Sequence, residues 1–136
     1  MKTIFRLAAV AALLAAVPGR CFALWEIAPV SPDEAKKLGM EVRSNPAGPE
    51  AVRVVLEFKP EGQLKGFSHV DLRVGGGNNP LATAALKEER TKTGSVVVSF
   101  SADRAQLDKL VLWVMVRGGE GGVAYELRVK EFVGAN

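Results

Sequence analysis

The chain has 136 residues, a length that holds one ordinary domain. Three of its 18 lysines and arginines, and none of its 15 acidic residues, lie in residues 1–23. The rest of the chain is therefore neutral, without the excess positive charge typical of proteins that bind nucleic acid or anionic membranes. The one cysteine, Cys21, lies in the same segment, which excludes disulfides and thiol chemistry from residues 24–136.

The N-terminal segment has the features of a Sec-type signal peptide. A basic start precedes an apolar run over 7–17 that is too short to span a bilayer comfortably, and small residues frame a cleavage point after Ala23. We expect residues 1–23 to be removed on export, to the periplasm or out of the cell, leaving no membrane span. An uncleaved anchor is the alternative. Lipidation of Cys21 is disfavoured because Arg20 stands where a small residue is normal.

A short helix is predicted near the start of the exported domain. Ser31 is placed as its N-cap, Pro32 occupies the first helical position and Glu34 completes a capping box. Gly39 is placed to end the helix. The preceding residues, 24–27, predict a short edge strand.

Alternating apolar and polar residues predict strands along most of the remaining chain. The predicted strands cover 40–44, 51–59, 67–74, 94–101, 110–117 and 123–133. A helical turn is expected over 102–109, anchored by Leu107. Residues 81–90 favour helix by propensity but lie between strands, so both interpretations stay open and we expect a strand.

The strongest pattern is a C-terminal hairpin around the glycine-rich loop 118–122. The outgoing strand is apolar on both faces, which predicts a central position covered on each side. The return strand alternates, so Tyr125 and Leu127 are expected in the core and Glu126 in water. Together the elements predict an all-β fold of about seven strands, a single antiparallel β-sandwich of immunoglobulin-like kind at 24–136. A small barrel is the alternative.

Candidates for chemistry are few. His69 and Asp71 share the outward face of one strand and could act as base and orienting group. Neighbouring strand residues point to opposite faces, so Ser68 is not expected to contact His69 directly. Asn78 and Asn79 form a turn whose oxygens could reach calcium, but we expect neither a metal nor a cofactor.

The two tryptophans complete the predicted contact surface. Trp113 is expected to be buried, with an exposed sugar or partner platform as the alternative, and Trp25 is left open. The surface predicted from the sequence comprises Trp25, His69, Asp71, Asn78, Asn79 and Trp113.

These observations predict an exported, non-enzymatic binding or assembly module. Its partner is an unknown protein or glycan, not nucleic acid, and its oligomeric state is open. A carbohydrate-binding domain that uses an exposed tryptophan is the first alternative. A small secreted hydrolase that uses His69, Asp71 and a distant carboxylate is the second.

Overall fold

The computed structural model of the protein describes residues 24–75 and 82–133. The predicted signal peptide with Cys21 lies outside these residues, as do Asn78 and Asn79. Within the described chain, no helix has both the length and the apolar character needed to cross a membrane.

The described chain is mostly β, and its nine strands form two sheets in a sandwich-like arrangement. One sheet has five strands in the order β1-β9-β8-β4-β5, and the other has four in the order β2-β3-β7-β6. The strands are β1 (Leu24–Pro29), β2 (Glu41–Pro46), β3 (Ala51–Phe58), β4 (Phe67–Val74), β5 (Ala82–Ala85), β6 (Glu89–Arg90), β7 (Val96–Asp103), β8 (Leu110–Gly118) and β9 (Gly121–Arg128).

Two features of this arrangement differ from the prediction. The structure describes nine strands, where about seven were expected after the N-terminal helix: the predicted edge strand is present as β1 before that helix, and the ambiguous segment 81–90 supplies two strands instead of one. β5 belongs to the five-stranded sheet and β6 to the four-stranded sheet, so the chain changes sheets between them. The sandwich is also not wholly antiparallel, because β1 runs parallel to β9. The expected strand character of this segment is confirmed at both β5 and β6.

The C-terminal hairpin is tighter and shorter than predicted. Gly118 pairs with Gly121, so only two residues form the turn, and Gly119 has the positive φ of 62° that such turns often require. The return strand ends at Arg128, and residues Val129–Val133 form a short helix, α2, instead of continuing the strand. Val129 and Phe132 anchor this helix by burial.

The predicted N-terminal helix is confirmed as α1, Pro32–Leu38. The Ser31 hydroxyl accepts a hydrogen bond from the Glu34 amide, and the Glu34 carboxylate accepts one from the Ser31 amide at 2.9 Å. These bonds satisfy two of the amides that a helix start leaves without partners. Gly39 ends α1 in the left-handed conformation, as expected. The turn at 102–109 is a 3-10 helix over Arg104–Lys109 with Leu107 buried.

The main core lies between the two sheets. β3 and β7 contribute side chains such as Leu56 and Val98 from the four-stranded sheet, and β4, β8 and β9 contribute Val70, Leu112 and Leu127 from the other. Each of these side chains is almost completely buried. The inner face of the five-stranded sheet thus belongs to the core, and its opposite, outer face carries the candidate site.

Candidate functional site on the outer face of the five-stranded sheet

The outer face carries a second apolar cluster that is separate from the main core. Strand β8 is central in its sheet, as predicted, and its residues alternate between the core and this face. The cluster, called here the outer cluster, consists of buried Val111, Trp113, Met115 and Ala124, with Trp25 and Ile27 packed against it. All six come from β1, β8 and β9, so the cluster is built within one sheet.

The strand register surrounds this cluster with charged and polar groups. Trp113 on β8 lies directly between Asp71 on β4 and Glu126 on β9. Two pairs further along, and so on the same face, Met115 lies opposite His69. Directly opposed residues on neighbouring strands lie close enough for their side chains to interact, so these groups form one surface.

Glu126 is the residue that departs most from the sequence prediction. It was expected in water, but it is only 8% exposed. The indole Nε1 of Trp113 donates a hydrogen bond of 2.9 Å to its Oε2. A buried carboxylate requires such a partner, and the opposing tryptophan both covers Glu126 and supplies the donor.

The expected burial of Trp113 is confirmed, at 7% exposure. The Arg73 guanidinium carbon lies 3.5 Å from the centroid of the indole ring, which is the geometry of a cation–π contact. This ring therefore offers no open platform on which a sugar could stack. The nitrogen and one face of the indole are both engaged within the protein.

Trp25 reaches the outer face from the edge strand β1. It lies opposite Gly122 on β9, and its ring covers that glycine so closely that a Cβ atom there would lie 2.6 Å from Cζ3. Trp25 remains partly exposed. Of the two indoles, it is the one with surface left for a ligand.

A β-bulge changes the expected relationship of Ser68 and His69. The pairing of β4 with β8 shifts register between Phe67 and His69, so the strict alternation on which the prediction rested fails there. Ser68 Oγ and His69 Nδ1 share a hydrogen bond of 2.9 Å, and His69 Nε2 lies 3.4 Å from Asp71 Oδ2. The prediction that Ser68 could not contact His69 is wrong.

The resulting chain of serine, histidine and aspartate has the order of groups that activates a nucleophile. The His69 side chain is 39% exposed and that of Asp71 is 17% exposed. Nucleophilic catalysis also needs a substrate cleft and donors for the developing oxyanion. None of the three residues lines either of the clefts of more than 700 Å³ described below.

The structure therefore brings together four of the six residues predicted as a contact surface: Trp25, His69, Asp71 and Trp113. Sequence reasoning missed Arg73 and Glu126 as members of this site. Alternation places Arg73 on the outward face with His69 and Asp71, and Glu126 on the outward face of its own strand, but it does not reveal which strand lies alongside. The register of β4, β8 and β9 supplies that information.

Two clefts flank α1, away from the outer cluster. One, of about 730 Å³, lies between α1 and the turn Gly62–Leu64, with Leu38 and Tyr125 among its apolar residues. The other, of about 720 Å³, is lined in part by Met40 and Phe132. Within residues 24–75 and 82–133, no group of three or more histidine, cysteine, aspartate and glutamate side chains could hold a metal ion.

Comparisons of this chain with protein-family models, with curated proteins and with solved structures found no match.

Proposed function

We propose that this protein is an exported, non-enzymatic binding module and that a protein partner docks on the outer face of its five-stranded sheet. The observation that carries the proposal is the outer cluster. A two-layered domain needs one apolar face per sheet, and the other face is ordinarily polar. Here that second face holds two tryptophans, an isoleucine, a valine and a methionine.

The composition of this face supports a protein partner. Aromatic residues and arginine are enriched in protein–protein interfaces, and the partly exposed Trp25 and Arg73 lie here beside the buried Trp113 and Met115. Tryptophan and arginine also supply a large share of binding hot spots. His69 and Asp71, beside the cluster, would form the polar rim that such interfaces have.

We also infer an immunoglobulin-like relationship for the fold. The order β2-β3-β7-β6 corresponds to strands A, B, E and D of that architecture, and β9-β8-β4 corresponds to G, F and C. β5 then takes the place of an additional strand beside C, and β1 extends the sheet beyond G. This relationship concerns architecture and carries no statement about the partner.

Site-specific photo-crosslinking tests the proposal. A photoreactive residue replaces Thr83, which is exposed on β5, or in the control Arg53, which is exposed on β3 of the other sheet. We expect a discrete cross-linked protein from Thr83 and none from Arg53. With that protein purified, Trp25→Ala should weaken binding about tenfold or more, as hot-spot residues do, whereas Arg53→Ala should not. Equal cross-linking at both positions, or a glycan as the only ligand retained, contradicts the proposal.

One observation favours a second function, hydrolysis of an ester or amide: Ser68 is hydrogen-bonded to His69, whose other ring nitrogen lies 3.4 Å from Asp71. In this alternative Ser68 is the nucleophile, His69 the base and Asp71 its orienting group. Release of nitrophenol from p-nitrophenyl acetate tests it. Loss of the activity in Ser68→Ala, but not in the control Ser99→Ala on β7, would support hydrolysis, and equal rates in all three proteins would exclude it for this substrate.

A further inference from the structure

Among the residues that the structure describes, Arg73 has no counter-ion in the outer cluster. Its guanidinium lies over the Trp113 ring, and its Nε atom is buried with no hydrogen-bond partner in that part of the chain. Every ion pair found among the described residues involves other side chains. A buried, unpaired donor costs free energy, and the cost is larger for a charged group.

The nearest acidic residues on this face are engaged elsewhere. Asp71, two residues before Arg73 on the same strand face, pairs with His69 at 3.4 Å. Glu126 accepts the hydrogen bond of Trp113. The contrast with Arg43 on the other sheet is direct, because Arg43 lies 2.9 Å from one glutamate oxygen and 3.2 Å from another.

The surroundings of Arg73 add positive charge and a hydroxyl group. In the strand register, Val111 separates Arg73 from the exposed Arg128, and Thr83 lies opposite Arg73 on its other side. With strands spaced about 4.8 Å apart, the two arginines lie about 10 Å from one another along this row. The row formed by Thr83, Arg73 and Arg128 has no acidic member.

We propose that Arg73 is a carboxylate-binding site and that the partner places an acidic side chain on it. This inference rests on the proposed function, because the acid is taken to belong to the docked protein. A guanidinium stacked on an aromatic ring can still present its terminal Nη groups, and these match the two oxygens of a carboxylate. The acid would satisfy the charge of Arg73, and Thr83 is placed to donate a further hydrogen bond.

The test is a titration of the ¹⁵N-labelled exported protein followed by NMR, with the blocked peptide Ac-Val-Glu-Val-NH₂ as the probe. We expect saturable shifts of the Arg73 Nε–H and Trp113 Nε1–H signals. Arg73→Gln should weaken binding about tenfold or more, since hydrogen bonds to charged groups contribute on that scale. Arg73→Lys should have an intermediate affinity, because lysine keeps the positive charge but lacks the planar pair of donors that bind both carboxylate oxygens. The control Arg43→Gln should bind as the unmodified protein does.

Three outcomes would overturn the proposal. The first is that Ac-Val-Gln-Val-NH₂ binds as well as the glutamate peptide. The second is unchanged binding in Arg73→Gln, with a spectrum showing that the variant is folded. The third is that acetate produces the same shifts at the same concentration with no preference for the peptide, which identifies an adventitious anion only.

The failure of this inference and that of the proposed function are separable. If cross-linking at Thr83 captures a partner whose affinity is unchanged by Arg73→Gln, the docking face stands and the carboxylate site does not. If the glutamate peptide binds at Arg73 but no partner cross-links there, the site stands and the docking proposal fails.

Discussion

Replacing Gly122 by alanine is expected to destabilise the protein by about 1–3 kcal/mol, the usual cost of forcing an extra methyl group into a packed site. The new Cβ would lie 2.5 Å from the carbonyl oxygen of Val116 and 2.6 Å from Cζ3 of Trp25. Both distances are well inside van der Waals contact. The tryptophan ring can move away from its position, but the carbonyl belongs to the neighbouring strand of the hairpin and moves only with its backbone.

The matched control is Gly118→Ala in the same hairpin. A Cβ atom there meets nothing within 4 Å, and the residue does not have a positive φ. Its expected effect is neutral to stabilising by about 0.4–1 kcal/mol, since alanine restricts the unfolded chain. Guanidinium unfolding of the exported protein, followed by tryptophan fluorescence, gives both free energies of unfolding.

A double-mutant cycle separates the two contacts of the new methyl group. In a Trp25→Leu background the ring is absent, so Gly122→Ala should cost less than in the native background, and the remainder reports the contact with Val116. A free energy of unfolding for Gly122→Ala within 0.5 kcal/mol of that for Gly118→Ala would refute the reasoning. It would mean that neither the Val116 carbonyl nor the Trp25 ring lies against Gly122 as the structure has them.

Further predictions concern the outer cluster, the core and α1. Trp113→Phe leaves the Glu126 carboxylate buried without its donor and should lower the free energy of unfolding by about 1.5–3 kcal/mol, much less in a Glu126→Gln background, as a double-mutant cycle would measure. Leu112→Ala in the main core should cost about 2–5 kcal/mol by chemical unfolding, and a cost below 1 kcal/mol would contradict its burial. The Ser31 amide and hydroxyl, by hydrogen bonding to Glu34, hold the pKa of its carboxyl below the ordinary 4.5. Since the folded pKa is the lower one, this stabilisation is present above the unfolded pKa and is lost as the pH falls through the folded value. Carbon-13 NMR titration should show that pKa rising towards 4.5 in Ser31→Ala, a substitution that also costs about 0.5–2 kcal/mol by loss of the cap.

The parts of the fold that depend on local chemistry are predictable from the sequence. The capping hydrogen bonds of α1 join Ser31 and Glu34, which are only three positions apart. Gly39 ends the helix because glycine adopts the left-handed conformation easily. Alternation likewise gives the faces of β3, because the residues buried on one side of that strand alternate with more exposed ones. Such features need no knowledge of which elements become neighbours.

The hairpin shows where sequence reasoning stops short. A five-residue loop over 118–122 would pair Arg117 with Val123 and thereby place Leu127 opposite Trp113. The observed two-residue turn shifts the register by one, which places Leu127 opposite Leu112 in the core and Glu126 opposite Trp113 outside. A shift of one residue exchanges the faces, so the turn length decides whether the apolar residues of the two strands meet.

The candidate site depends on a second feature of this kind, the bulge in β4. Without it, Ser68 would face the core side while His69 faced outward, and the two could not share a hydrogen bond. A bulge adds one residue to one strand, and the apolar pattern of a strand as short as β4 does not reveal it. The sequence therefore predicts which residues of the contact surface point outward. It does not predict which of those residues contact one another.

Strand β4 carries both the group proposed to bind a carboxylate and the groups proposed for hydrolysis. Because they lie near opposite ends of the strand, the two functions can be tested separately. The bulge positions Ser68 and His69 near one end of the strand, and Arg73 lies near the other, with Asp71 between them. Asp71 lies 3.4 Å from His69, and no ion pair between Asp71 and Arg73 is found among the described residues. Arg73 is therefore available to bind an external anion. Ser68→Ala should therefore leave carboxylate binding intact, and Arg73→Gln should leave any esterase activity intact. If Ser68→Ala and Arg73→Gln each altered both properties, the outer face would act as one site in which the anion bound at Arg73 belongs to a substrate.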